Sequence, residues 1–141
     1  MLSKDLAAHQ MSSSMDSLLA LDSIIQSALG PEIPEDLYSK ILIALTEAVN
    51  NAILHGNQND ARKKIYLNIR ESGDYYEFTI TDEGSGFDYR HLPNPTDPEN
   101  ITKINGRGVF IMKNLSDYLD FQDNGKTVIL KFCKQTSPAF S

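Results

Sequence analysis

The chain has 141 residues, 40% hydrophobic and 23% charged, values near the globular average that exclude a disordered or fibrous protein and suit one ordinary domain with one core. Thirteen basic against nineteen acidic residues give a net charge of -6, and no basic run exceeds Arg62-Lys63-Lys64, so there is no electrostatic footprint for nucleic acid or an anionic membrane. A single cysteine, Cys133, excludes an internal disulfide.

Apolar stretches such as Ile41 to Leu45 fall far short of the roughly 18 residues that cross a bilayer. The N-terminus, Met1-Leu2-Ser3-Lys4-Asp5, lacks the charged-then-apolar layout of a signal peptide, so a cytoplasmic protein is expected. The segment from Leu2 to His9 leaves room for a short strand but is short for a first strand of a sheet. Ser12-Ser13-Ser14 then caps an apolar-periodic helix through Met15, Leu18, Leu21, Ile25 and Leu29, stopped by Gly30-Pro31. Pro34-Glu35-Asp36 opens a second helix, whose stripe of Leu37, Ile41, Leu45, Ala48 and Ala52 ends near His55-Gly56-Asn57.

From Lys64 the period changes to two. Ile65, Leu67 and Ile69 alternate with polar residues, Glu71-Ser72-Gly73-Asp74 turns the chain, and Tyr76, Phe78 and Ile80 resume the alternation up to Asp82. Residues 88–105 carry three prolines and no sustained periodicity, the composition of a lid or binding loop. A third helix is expected where Gly106-Arg107-Gly108 ends, carried by Val109, Met112 and Leu115. Tyr118 to Phe121, the turn Asp123-Asn124-Gly125-Lys126 and Thr127 to Lys134 form a closing hairpin, with Cys133 as a buried strand thiol and 135–141 as a tail. Strands grouped in hairpins point to an α+β fold, a two-layer α/β sandwich with a mixed, mostly antiparallel sheet covered by helices on one face. Residues 1–141 are expected to form a single domain.

Three short segments carry residue types suited to nucleotide chemistry. Glu47 and Asn51 stand four apart, on one face of the second helix, with Asn50 beside them. A carboxylate one turn from an amide oxygen suits magnesium-dependent phosphoryl transfer, though the same pair also suits the polar face of an amphipathic helix. Asp82-Glu83-Gly84-Ser85-Gly86 ends a strand with a carboxylate able to accept from an exocyclic amine and with glycines that let a flat ring approach, or it is an ordinary Asp-Gly turn. Gly106-Arg107-Gly108 opens a helix whose free N–H groups favour phosphate, or it is a plain loop-to-helix junction. Arg107 suits phosphate, a partner or solvent equally. Gly125-Lys126-Thr127 is not the end of a P-loop, because Asp120 stands where its first glycine belongs, and Gly84-Ser85-Gly86 has no third glycine at dinucleotide spacing. His9 and His91 have no clustered ligand partners, and His55, at the end of the second helix, suits a helix cap or the rim of a pocket rather than a phospho-acceptor.

The joint order of these segments is specific. Leu45-Thr46-Glu47-Ala48-Val49-Asn50-Asn51-Ala52-Ile53-Leu54-His55-Gly56, Asp82-Glu83-Gly84-Ser85-Gly86-Phe87 and Gly106-Arg107-Gly108-Val109-Phe110-Ile111-Met112 resemble the N, G1 and G2 boxes of the GHKL ATPase superfamily, over roughly Ser12 to Lys134. The subgroup most similar is that of the stand-alone anti-sigma-factor serine/threonine kinases. The resemblance implies a Bergerat-type ATP-binding fold, ATP and Mg²⁺ as cofactors, and a homodimer. It implies that Asn51 coordinates Mg²⁺, with Asn50 next to it, and that Asp82 bonds the adenine amino group. Gly84 and Gly86 would line the base pocket, Gly106, Arg107, Gly108 and Val109 would border the phosphates, and Glu47 would be the catalytic base. Its partners would be a sigma factor and a small antagonist protein that it phosphorylates. A nucleotide-gated binding module without kinase activity is the alternative.

Overall fold

The structure, a computed structural model, describes residues 3–84 and 104–134, with the backbone alone for 104–106. Most of the expected lid, the tail from residue 135, Gly86 and His91 lie outside the described residues.

Among the described residues, five strands form one antiparallel sheet in the order β1-β2-β3-β5-β4, where β1 is Ser3–Ser12, β2 Lys64–Ser72, β3 Tyr75–Asp82, β4 Tyr118–Gln122 and β5 Thr127–Cys133. Three helices accompany it: α1 (Met15–Leu29), α2 (Glu35–Asn51) and α3 (Ile104–Leu115). The two-layer α+β architecture expected from the hairpins is the one observed, with every strand pair antiparallel rather than mixed.

Period-two alternation aims one face of the sheet at the helices. Ile65, Leu67 and Ile69 of β2, Phe78 and Ile80 of β3, and Leu130 and Phe132 of β5 are buried against Leu21 and Ile25 of α1, Ile41, Leu45 and Val49 of α2, and Met112 of α3 in one core. Phe78 and Phe132 meet edge to face, ring centroids 5.7 Å apart at 79°. The opposite face is polar. One rung crosses the whole sheet in register, Asp5, Arg70, Glu77, Lys131 and Tyr118. In that rung Arg70 pairs with Asp5 at 3.0 Å and Glu77 at 3.9 Å, while Lys131 reaches Glu77 at 3.7 Å and lies 4.7 Å from the Tyr118 ring centre.

Three expectations need correction. The strand ahead of α1 is not short: it runs ten residues, because an edge strand can be held by its ladder to β2 while burying little, here chiefly Met11. Helix α3 starts at Ile104, ahead of the glycines, so Gly106 and Gly108 lie inside it. Cys133 is in a strand, as expected, but half-buried, since the inward phase of β5 falls on Val128, Leu130 and Phe132 and leaves Cys133 on the other face. Helix α1 stops where Gly30 takes φ of 84°, and the β4–β5 turn passes through left-handed Asp123, Asn124 and Gly125, conformations that Asn and Gly adopt readily.

Candidate functional site

Helix α2 does not end with regular geometry. After Asn51 it widens into a π-helical turn, Ala52–Gly56, in which the Asn57 N–H donates to the Ala52 carbonyl at 2.7 Å. That turn carries Gly56 beneath the end of β3. A β-carbon on Gly56 would lie 2.1 Å from Oδ2 of Asp82, and one on Gly84 would lie 1.7 Å from the carbonyl oxygen of Gly56. Gly56, Asp82 and Gly84 therefore interlock through the absence of two side chains.

Asp82 is 5% exposed. Its Oδ1 accepts the Gly84 N–H at 2.8 Å, and its own N–H donates to the Lys126 carbonyl at 3.0 Å, fixing the end of β3 to the β4–β5 turn. Burial pushes the Asp82 carboxyl above its ordinary range, against the opposing pull of the Gly84 N–H and of Lys126 and Lys63. A pocket beside this carboxylate is lined by Ala48, Asn51 and Ala52 of α2 and its extension, Ile80, Met112 and Phe121, and by Gly125, Lys126 and Val128. It combines apolar walls with an acidic acceptor.

The second cluster lies where α2 faces α3. A β-carbon on Gly108 would lie 3.2 Å from Glu47 Oε1, 3.3 Å from Asn51 Oδ1 and 3.5 Å from Asn51 Nδ2, so both side chains converge on this one glycine. Asn51 is buried, while Glu47 and Asn50 are half-buried. Arg107 is exposed and Val109 packs half-buried on the core. The structure thus brings together Glu47, Asn51 and Gly108, and separately Asp82 with Gly84, and Asn51 also lines the pocket beside Asp82. Gly106 is on the first turn of α3, and Gly86 lies outside the described residues. His55 is half-buried in the π-helical turn and His9 is exposed on β1.

Sequence reasoning missed Gly56 and Asn57. Their contribution is a close approach and a buried bridge between distant segments, and the only cue was the His-Gly-Asn run at the end of the second helix. It also missed Met112, Phe121 and Lys126, which read as ordinary helix and hairpin positions.

An antiparallel sheet backed by helices, with an acidic pocket between the end of β3 and the α2–α3 contact, defines a Bergerat-type nucleotide-binding sandwich. The family model for the histidine kinase-like ATPase domain matches residues 11–132, and the chain belongs to that family. Among curated proteins it is similar to an anti-sigma F factor of a Geobacillus species, 34% identical over 103 residues that span 68% of this chain and 69% of the relative. The anti-sigma F factor of Halalkalibacterium halodurans is 34% identical with the same coverage. That of Geobacillus thermodenitrificans is 32% identical over 110 residues, 73% of each chain. No described helix is long and apolar enough to cross a membrane.

Proposed function

We propose that this chain is an ATP- and Mg²⁺-dependent serine/threonine protein kinase that phosphorylates a small antagonist protein and exchanges it for a sigma factor. The observation that carries the catalytic half is the convergence of Glu47 and Asn51 on Gly108. A carboxylate and an amide oxygen, one helical turn apart and next to the helix that begins at Ile104, suit a reaction whose catalysis is mostly positioning and charge neutralisation. The name shared by the relatives, anti-sigma F factor, supports the sigma-factor half.

In this reading Asp82 accepts the hydrogen bond of the adenine amino group, Gly84 and Gly86 would border the ring, and Ile80 and Met112 wall it. Gly106, Arg107, Gly108 and Val109 border the phosphates along the first turns of α3, whose dipole favours negative charge towards that end. Asn51, flanked by Asn50, offers the hard oxygen donor that Mg²⁺ takes, and the neighbouring Glu47 carboxylate makes the donor set compatible with that ion. Mg²⁺ would supply charge neutralisation at the phosphate oxygens. Glu47 takes the proton from the acceptor hydroxyl as its oxygen bonds the γ-phosphorus. The bond from that phosphorus to the bridging oxygen breaks, and ADP leaves.

The test is phosphoryl transfer from γ-labelled ATP, in Mg²⁺, to the small antagonist-like proteins encoded by neighbouring genes. Wild-type protein should place label on a serine or threonine, and Glu47→Gln should slow transfer by roughly 10²–10⁴-fold while still binding ATP. ATP bound without label reaching any acceptor would overturn the kinase reading in favour of a nucleotide-gated binding module.

A further inference from the structure

We infer that Asn57 and Glu83 form a clasp that positions Asp82, and so sets how strictly the pocket distinguishes an adenine from a guanine nucleotide. The inference rests on the reading of Asp82 as the group that meets the base. Asn57 is fully buried, although its side chain is polar. Its Nδ2 donates to the Lys64 carbonyl at 3.0 Å, and its Oδ1 accepts the Glu83 N–H at 2.9 Å. Glu83 closes the circuit: Oε1 accepts the Lys64 N–H at 2.7 Å and Oε2 accepts the Tyr66 hydroxyl at 2.8 Å.

The location of this circuit gives it a purpose. The β2–β3 ladder ends at the pair Ile65 and Asp82, and the next pair would be Lys64 and Glu83. There the strands stop pairing through their backbones, and two side chains take up the Lys64 N–H, the Lys64 carbonyl and the Glu83 N–H instead. Unpaired buried backbone groups are costly, so this substitution lets β3 leave the sheet one residue after Asp82 without orphaned donors. The peptide joining Asp82 to Glu83 is thereby tied to both the end of α2 and the start of β2. On its other side the Asp82 carboxylate is held by the Gly84 N–H. Neither Asn57 nor Glu83 lines the pocket, so both act on the base through Asp82. The two hydrogen bonds accepted by Glu83 hold its carboxyl below the usual range.

A clasp and a mere fold-stabiliser differ in one readout, the ratio of ATP to GTP affinity. This ratio is measured by calorimetric titration of the full chain in Mg²⁺ for wild type, Asn57→Ala, Asn57→Asp and Glu83→Ala. Wild type should prefer ATP. Asn57→Ala and Glu83→Ala should lose most of that preference, the ratio falling by about tenfold or more. Asn57→Asp, which keeps the acceptor for Glu83 but not the donor for Lys64, should fall between them and wild type. Glu83 is exposed, so its alanine variant remains decisive if Asn57→Ala does not fold. A folded Glu83→Ala protein with an unchanged ratio overturns the clasp. A wild-type protein without preference for ATP overturns the reading of Asp82 itself, and the clasp with it.

Discussion

Gly56 and Asp82 meet so closely that a single methyl group cannot be placed between them, the β-carbon position of the glycine lying 2.1 Å from Oδ2 of the carboxylate. The end of α2 therefore sets where the acidic group of the pocket sits, and the helix that carries Glu47 and Asn51 is the same one that seats Asp82. The two halves of the site are joined through one element.

That relationship predicts unequal outcomes for two glycine substitutions. In Gly56→Ala the methyl meets a side chain, so Asp82 can swing away at the cost of its bond from Gly84. ATP binding should be lost, and stability should fall by about 1–3 kcal/mol. In Gly84→Ala the methyl meets the backbone carbonyl of Gly56 at 1.7 Å, which has no rotamer to escape into, so the loss should exceed that of Gly56→Ala. Urea midpoints of the two variants check the order. A wild-type midpoint for Gly84→Ala would refute the interlock.

Asp82 should cost stability at neutral pH. Burial raises its folded-state pKa above the ordinary value of 3.8, so the folded state disfavours the ionised form. Below the unfolded pKa both states are protonated and nothing is lost. As pH rises through the unfolded and then the folded value the penalty grows, and above the folded value it is complete. Asp82→Asn removes the charge and keeps an oxygen to accept the Gly84 N–H. The nucleotide-free variant should therefore melt higher than wild type at pH 7, with a gap that narrows as pH falls toward 4. Scanning calorimetry across that range tests it, and a lower Tm at pH 7 would contradict it.

The two faces of the sheet should contribute very differently. Phe78 is completely buried in an aromatic pair, and Phe78→Ala should cost about 3–5 kcal/mol. Arg70 makes two ion pairs in the cross-sheet rung, yet its side chain is 43% exposed, its nearer partner Asp5 is 85% exposed, and the pair to Glu77 is long at 3.9 Å. Arg70→Ala should cost less than about 1 kcal/mol. Equal losses in denaturant unfolding would mean that the polar rung holds the sheet together.

Much of this was legible in the sequence, and what was not had physical causes. Helices α1 and α2 announce themselves by periodicity and stop signals, and β2, β3 and β5 by strict alternation, because each buries one regular face. Strand β1 does not: in Ser3–Ser12 little beyond Met11 is buried, and its order comes from backbone bonds to β2, which leave no side-chain pattern. The start of α3 was misplaced because Gly106 and Gly108 have poor helix propensity. Contact with Glu47 and Asn51 favours a residue without a side chain at position 108, and packing overrides propensity there. Glu47, Asn51 and Asp82 were visible as residue types at meaningful spacings. The role of Gly56 and Asn57 depends on segments some 26 residues apart meeting in space, as in the Asn57 to Glu83 bond, and no local pattern encodes that.

The most direct test of the account is the binding of ATP itself. Titration calorimetry in Mg²⁺ should show wild-type protein binding one ATP per chain, and Asp82→Asn should weaken it roughly 10- to 100-fold, the worth of a hydrogen bond to a charged group. ATP binding that is absent from the wild type, or undiminished in a folded Asp82→Asn variant, would contradict the account.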